Sequence, residues 1–526
     1  MPLLVTQADS KISGLILALF LFLWTWASWP VLTMDVRNAH EAAVLWSDEG
    51  RHIRTLEKMK SEKTLELLHP AYTGGYPNLS FLVTTVVEWW PLSEMNPVIT
   101  GSRITSWGCS ILMLGTVFLG VWRLFGHWGW GLVAVLLTGT HRWIRFFAVT
   151  LHPEPPMLAG ITIALVSGAF YLRNPRFHYL GWMAAGSALA IGSKLQALML
   201  IPWMAVIGLT GLWKSRQTSA QVVITWGMGA LGIFLGGLLL ITPWQLLHPQ
   251  RLWEGIQSER NFQSMNHLGV TEWLEYITSN ELLGIPYSLL LSGFIAGMLF
   301  QCYRTSWNLR IWLDKPENAL FFGSLLWVCV SMGHVILSVN VLIARYVTHA
   351  VPALMLMLTT GLFRARNSRW PKGLQAMILL LLILGLQQQA KHTQRDFDRR
   401  LQMSEKIAGI RQVMNEIQHL VPHEAVILSP RLQFIESSIF PKALGMEPTE
   451  SVIRETRPEF LLLPDDYLRL LRKEGVAEKI YTQTPEYVTK AQFWHKLREH
   501  GFYGQFRVYR SWPEANITLY QRNHAD

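Results

Sequence analysis

Two adjacent carboxylates, Asp48 and Glu49, stand in the run Trp46-Ser47-Asp48-Glu49-Gly50-Arg51-His52, between two apolar segments. A second polar run follows, His69-Pro70-Ala71-Tyr72-Thr73-Gly74-Gly75-Tyr76-Pro77. Carboxylates held against a bilayer are costly unless they bind cations or move protons. The loop over 35–98 therefore reads as the main wall of an active site at a membrane–water interface. A carboxylate there can take a proton from a nucleophile, or the pair can hold a divalent ion.

The elements that must position these groups follow from composition. The chain of 526 residues is 50% hydrophobic and 16% charged, with a mean hydropathy of +0.22. Soluble domains carry roughly 25% charge, so the fold class is a polytopic α-helical membrane protein with a sizeable polar part. Tryptophans cluster at the ends of apolar runs (Trp24, Trp29, Trp122, Trp128 and Trp244), as interfacial aromatic belts do. The formal charge of +10 does not point to nucleic acid, because much of the excess lies in short links between apolar segments. Cys109, Cys302 and Cys329 all lie in or beside apolar runs, so neither a disulfide framework nor a cysteine metal site is implied.

Lys11 precedes an apolar run over 12–32 without a small-residue cleavage site, which reads as a signal anchor with a cytoplasmic N-terminus. That places the loop 35–98 outside. Residues 79–92 are too few for a crossing and suit a re-entrant or interfacial helix. Apolar runs over 99–122, 130–150 and 156–172 then alternate, with His141, Arg142 and Arg145 needing protein or water to face. The stretch over 180–213, at roughly 34 residues, is too long for one crossing and about right for two short ones. Its hinge is Lys194. Arg173 and Arg176 lie before it and Lys214 and Arg216 after it, so both flanks are cytoplasmic and Lys194 reaches the outer face. Runs over 222–241, 282–300, 319–339, 347–363 and 374–386 complete about eleven spans, N-terminus in and C-terminus out. Residues 1–390 form this transmembrane module.

From 391 to 526 the composition turns charged and mixed, over the length of one small domain. Helices are expected at 399–420, 465–473 and 491–500. Short buried strands are expected at 425–428 and 460–463, and a terminal hairpin from 506–509 and 517–520. Alternation of this kind suits a soluble α/β domain on the outer, periplasmic face.

The topology gathers acids and cations on that face. With Asp48 and Glu49 come Asp35, Arg51, His52, His69, Tyr72 and Tyr76. Later loops add His152 and Glu154, Lys194, then Arg251, Glu254, Glu259, Arg260 and His267, and finally Arg345 and Tyr346. Acids from two loops with cations from three others suit transfer from an anionic, lipid-linked donor. Cations would hold a phosphate as leaving-group charge develops.

This set resembles the GT-C glycosyltransferases, in particular the protein O-mannosyltransferase and lipid A aminoarabinose transferase group. The resemblance rests on the first helix followed by Asp48-Glu49-Gly50 and Gly75-Tyr76-Pro77. His152-Pro153-Glu154, Gly192-Ser193-Lys194, Thr242-Pro243-Trp244 and Ala344-Arg345-Tyr346 follow in the group's order. It implies an inverting sugar transfer from a polyprenyl-phosphate donor to a lipid, glycan or protein acceptor at the outer face of a membrane, expected to be the bacterial inner membrane. Asp48 would be the general base, with Asp35 the competing candidate because it follows the first helix directly. Glu49 would assist, or with Asp48 hold a divalent cation (Mg or Mn) if one is used, and Glu154 would be the second acid. Lys194 and Arg345, with Arg251 and Arg260, would contact the donor phosphate, while His69, Tyr72, Tyr76 and Tyr346 would line the substrate site. Two other classes compete. A transporter or flippase should show inverted repeats and mid-membrane charges, and no repeat is visible. A non-catalytic envelope scaffold would use the C-terminal domain to bind partners.

Overall fold

The computed structural model describes residues 7–45, 47–68, 73–89, 96–215, 219–263, 269–279, 282–304, 308–339, 344–367, 371–429, 440–444, 450–464, 505–513 and 517–523. It divides into two compact units, Met1–Thr33 with Arg54–Asp398, and Met34–Ile53 with Arg399–Asp526. The chain begins with α1 (Gln7–Leu32), α2 (Ala39–Leu45), α3 (Ser47–Glu62), α4 (Gly75–Trp89), α5 (Pro97–Phe125), α6 (Trp128–Thr140) and α7 (Arg142–Ala148). It continues through α8 (Glu154–Arg173), α9 (Phe177–Ser193), α10 (Leu200–Ser215), α11 (Ala220–Ile241), α12 (Pro243–Leu247), α13 (Pro249–Gln263) and α14 (Val270–Thr278). Then come α15 (Gly284–Arg304), α16 (Leu309–Trp312), α17 (Pro316–Ser338), α18 (Val351–Asn367), α19 (Lys372–Leu420) and α20 (Glu450–Thr456).

The first unit is a helical bundle. Among the described residues, eight helices are long and apolar enough to cross a membrane: α1, α5, α8, α10 with its leading 3-10 turn, α11, α15, α17 and α19. The other expected crossings fall on α6, at 13 residues, and on α9 and α18, at 17 each, short of the ~20 residues of a straight span.

Helix α8 is buried along nearly its whole length. It packs on α9 through facing glycines, where a Cβ on Gly186 would stand 2.7 Å from the carbonyl oxygen of Gly160. Small residues at such crossings let two backbones approach, which is how apolar helices associate in lipid. The apolar stretch over 180–213 does break at Lys194, whose extended backbone (φ −157°, ψ 130°) separates α9 from the 3-10 turn Leu195–Met199.

Two element boundaries differ from the sequence reading. The run 130–150 is interrupted at His141, which ends α6 and caps α7 by accepting from the Trp143 amide. The cations beyond it find protein partners: Arg142 grips both carboxylate oxygens of Asp396 (2.5 and 3.0 Å), and Arg145 donates to Ser28 (3.1 Å). The last crossing and the helix expected at 399–420 are one helix, α19. Residues 387–398 contain neither glycine nor proline and are rich in good helix formers, so nothing stops the helix at the end of its apolar half.

The second unit carries a mixed four-stranded sheet of β1 (Ile427–Leu428), β2 (Phe460–Pro464), β3 (Phe506–Trp512) and β4 (Ile517–Arg522), in the order β1-β2-β4-β3. Strands β1 and β2 are parallel, and the other pairings antiparallel, with Leu462 opposite Leu519. Strand β2 is apolar throughout because both of its faces are covered. Phe460 and Leu462 pack with Ile410, Val413 and Ile417 of α19, at helical spacing, while Leu461 and Leu463 pack with Ile453 of α20. The helices expected at 465–473 and 491–500 lie outside the described residues.

The units do not divide at a single boundary near 390. Residues 34–53 join the C-terminal part because α19 holds them by ion pairs. Arg411 bridges Glu41 (2.5 and 2.7 Å) and Asp35 (2.8 Å).

Candidate active site

In the first unit the α8–α9 hairpin brings the start of one helix beside the end of the other. Glu154 occupies the first turn of α8, where a helix N-terminus favours negative charge, and its side chain is wholly buried. The ammonium of Lys194 donates to Glu154 Oε1, and His152 Nδ1 lies against Oε2. A buried charge is tolerable when paired and hydrogen-bonded, and each of these two residues answers the other. His349, in the 3-10 turn Thr348–Ala350 before α18, is buried within electrostatic reach of Lys194.

Three sequence motifs meet beside this cluster. A Cβ on Gly75 would lie 2.5 Å from the carbonyl oxygen of Gly192, so only glycine allows the start of α4 to rest against the Lys194 hinge. The Gly74 amide donates to Thr242 Oγ1 (3.1 Å), and Asn78 Nδ2 donates to the Ile241 carbonyl (2.8 Å). The Thr242 hydroxyl in turn donates to Gln245. Tyr76 is fully buried and donates its hydroxyl to the Ser102 carbonyl (3.2 Å). Ser106 Oγ lies 3.3 Å from that hydroxyl and donates to the Thr150 carbonyl (2.7 Å), just before His152. The tyrosine thus ties α4 to α5 rather than presenting its ring to solvent.

The remaining loop residues are less gathered. Arg345 is partly buried with its guanidinium 5.3 Å from the ring of Tyr346, itself buried. Arg251 is exposed and pairs with Glu254 at 3.2 Å, and Arg260 is exposed near the end of α13. His69, Tyr72 and His267 lie outside the described residues.

In the second unit Asp48 and Glu49 occupy the first turn of α3, and consecutive residues on a helix do not face the same way. Asp48 is buried, with Arg51 Nη1 3.5 Å away one turn on. Glu49 is fully buried, and its Oε1 accepts from the guanidinium of Arg400 on α19. Sequence reasoning missed Arg400, whose only signal was a basic residue on a helix assigned to the soluble domain. Arg400 thus engages one oxygen of the Glu49 carboxylate. Among the described residues no group of three His, Cys, Asp or Glu could hold a metal ion. The competing base Asp35 is likewise engaged, with Arg411 at 2.8 Å and Arg37 at 3.5 Å.

The architecture is one that solved structures share. Among solved structures with this fold is ArnT from Cupriavidus metallidurans bound to undecaprenyl phosphate. It is 12% identical with a TM-score of 0.53, the match covering 96% of this chain and 97% of that one. Another is the oligosaccharyltransferase AglB from Archaeoglobus fulgidus, in complex with an inhibitory peptide and a dolichol-phosphate. It is 9% identical with a TM-score of 0.51, over 88% of this chain and 70% of that one. At these identities the likeness is one of fold. No family model and no curated protein matches the chain.

Proposed function

We propose that the chain is a membrane glycosyltransferase that moves a sugar from a polyprenyl-phosphate donor to an acceptor on the extracytoplasmic face, with inversion. The observation that carries this reading is the meeting of Gly75, the Lys194 hinge and Thr242 beside a buried Lys194–Glu154 pair. Two proteins that share the fold were solved with polyprenyl phosphates bound, which supports a donor of that class. Eleven crossings, with α6, α9 and α18 as the short ones, would leave the N-terminus inside and the sheet-bearing unit outside.

In the proposed reaction the acceptor's nucleophile attacks the anomeric carbon and gives its proton to Asp48. The bond from that carbon to the phosphate oxygen breaks, and its electron pair leaves on the polyprenyl phosphate. Lys194 steadies that developing charge, with Arg345 as a second cation. Preorganised cations aimed at developing charge are a large source of rate acceleration. Glu154 acts as a positioning residue that holds the ammonium of Lys194, with His152 against its other oxygen. Glu49, paired to Arg400, fixes the first turn of α3 and through it Asp48. Asp35 is assigned a structural role because Arg411 and Arg37 already occupy its carboxylate.

The test is release of free polyprenyl phosphate by the full-length chain in liposomes, followed by mass spectrometry with a panel of polyprenyl-phosphate sugars. Envelope glycans from cells with and without the chain would be compared in parallel. Donor-dependent release that disappears in Asp48→Asn supports the reading. No release from any donor, with unchanged envelope glycans, overturns it.

A further inference from the structure

At the other end of the bundle a cavity of about 480 Å³ opens between α15, α17 and α18. Its lining is of two kinds. Arg304, Lys315 and Arg364 stand at one end with a single carboxylate, Glu317, while Gly293, Gly297, Phe294 and Phe300 form an apolar wall. Gly293 and Gly297 have nothing within 4 Å of where a Cβ would stand, so the wall is open alongside α15. Phe294 is wedged into α18, lying 2.6 Å or closer to a Cβ built on Gly361. Arg364 is held at the cavity edge by its 3.1 Å hydrogen bond to Asn318, and Arg304 stacks on Phe300 at 5.1 Å.

The cations come from the last turn of α15, the residue capping α17 and the last turn of α18. They therefore share one end of three adjacent helices. From Val351, two residues after His349, to Arg364 the helix rises roughly 20 Å, which separates this cavity from the Lys194–Glu154 cluster. The same end carries Lys214, whose ammonium caps α8 at the Leu172 and Arg173 carbonyls (2.9 and 3.2 Å). It is the end rich in basic links, which the positive-inside tendency sets on the cytoplasmic side.

We propose that this cavity is a binding site for an anionic phospholipid, with the phosphodiester at Arg304, Lys315 and Arg364 and an acyl chain along the glycine-opened wall of α15. Three cations against one carboxylate favour an anion over a zwitterion. Basic pockets between membrane helices on this side are suited to phospholipid head groups. The cavity's apolar wall distinguishes it from a site for a free phosphate. The proposal does not depend on the reaction assigned above.

The experiment is native mass spectrometry of the full-length protein released from detergent after equilibration with phosphatidylglycerol, phosphatidylcholine, undecaprenyl phosphate or inorganic phosphate. Retention of phosphatidylglycerol at least fivefold above phosphatidylcholine is expected, with a fivefold or greater loss in Arg304→Ala/Lys315→Ala. Arg366→Ala, a neighbouring cation that faces Trp130 rather than the cavity, should retain it. Equal binding of the two phospholipids, or unchanged retention in the double variant, overturns the proposal. So does retention only of undecaprenyl phosphate or only of inorganic phosphate. Thermal unfolding of the same variants separates loss of the site from loss of the fold.

Discussion

Lys194 closes the end of α9 and donates its ammonium to the buried carboxylate of Glu154 at the start of α8, forty residues earlier in the chain. The two meet because Gly160 and Gly186 let α8 and α9 pack backbone to backbone. Removing either partner breaks a buried ion pair, which costs about 3–5 kcal/mol. Lys194→Met and Glu154→Leu should each lower the unfolding temperature in detergent, while the double variant recovers much of the loss. Transfer activity should stay absent in the double variant. Recovery of activity along with stability would make the pair purely structural.

Asp48 offers the converse case. Its carboxylate is buried with the half-exposed Arg51 3.5 Å away, and asparagine keeps the size of the side chain and an acceptor oxygen. Asp48→Asn should therefore leave the unfolding temperature nearly unchanged while lowering transfer by about 10²–10⁴-fold, the range for loss of a general base. Asp35→Asn should leave the rate within about twofold of the wild type, a figure well below that general-base range. Exchanged outcomes for the two aspartates would move the base to Asp35.

The Glu49–Arg400 pair predicts a stability defect within the second unit. Arg400→Met strands a fully buried carboxylate, at a cost of about 3–5 kcal/mol, and Glu49→Gln in the same chain should relieve part of it. Limited proteolysis between residues 34 and 53 reads this directly. Unaltered protection in Arg400→Met would show that the pair does not hold the segment.

A pH dependence follows from Lys58 and Glu66, 2.8 Å apart. The hydrogen bond from Lys58 holds the Glu66 carboxyl below its ordinary range, and the same bond raises the Lys58 ammonium. The contribution of Glu66 is therefore present above the unfolded carboxyl value of ~4.3 and fades as pH falls through the lower folded value. That of Lys58 is present below ~10.4 and fades as pH rises through its folded value. Unfolding temperatures of the wild type and Glu66→Gln should converge in acid and differ near neutrality. A constant gap between the two curves across that range contradicts the pairing.

Widening the helix crossing tests the hairpin itself. Gly160→Val would push a side chain into the Gly186 carbonyl and the Ala190 backbone, where overpacking costs about 1–3 kcal/mol or more. Both stability and transfer should fall, and Val at Gly232, which has open space around it, should be tolerated.

The sequence by itself determined the helical membrane class, the places where apolar runs begin and end, and the hinge at Lys194. These are local properties: run length, flanking charge, and the break in one long apolar stretch. The strand positions near 427, 460, 506 and 517 were legible for the same reason, since short β-rich runs between polar turns report their own burial. Tertiary structure alone decided which groups answer which. Arg400 and Arg411 reach Glu49, Asp35 and Glu41 across more than three hundred residues, and no spacing in the chain encodes a pair so far apart. The continuity of α19 was hidden for a related reason. A helix does not end where its hydrophobicity does, only where its backbone hydrogen bonding is broken.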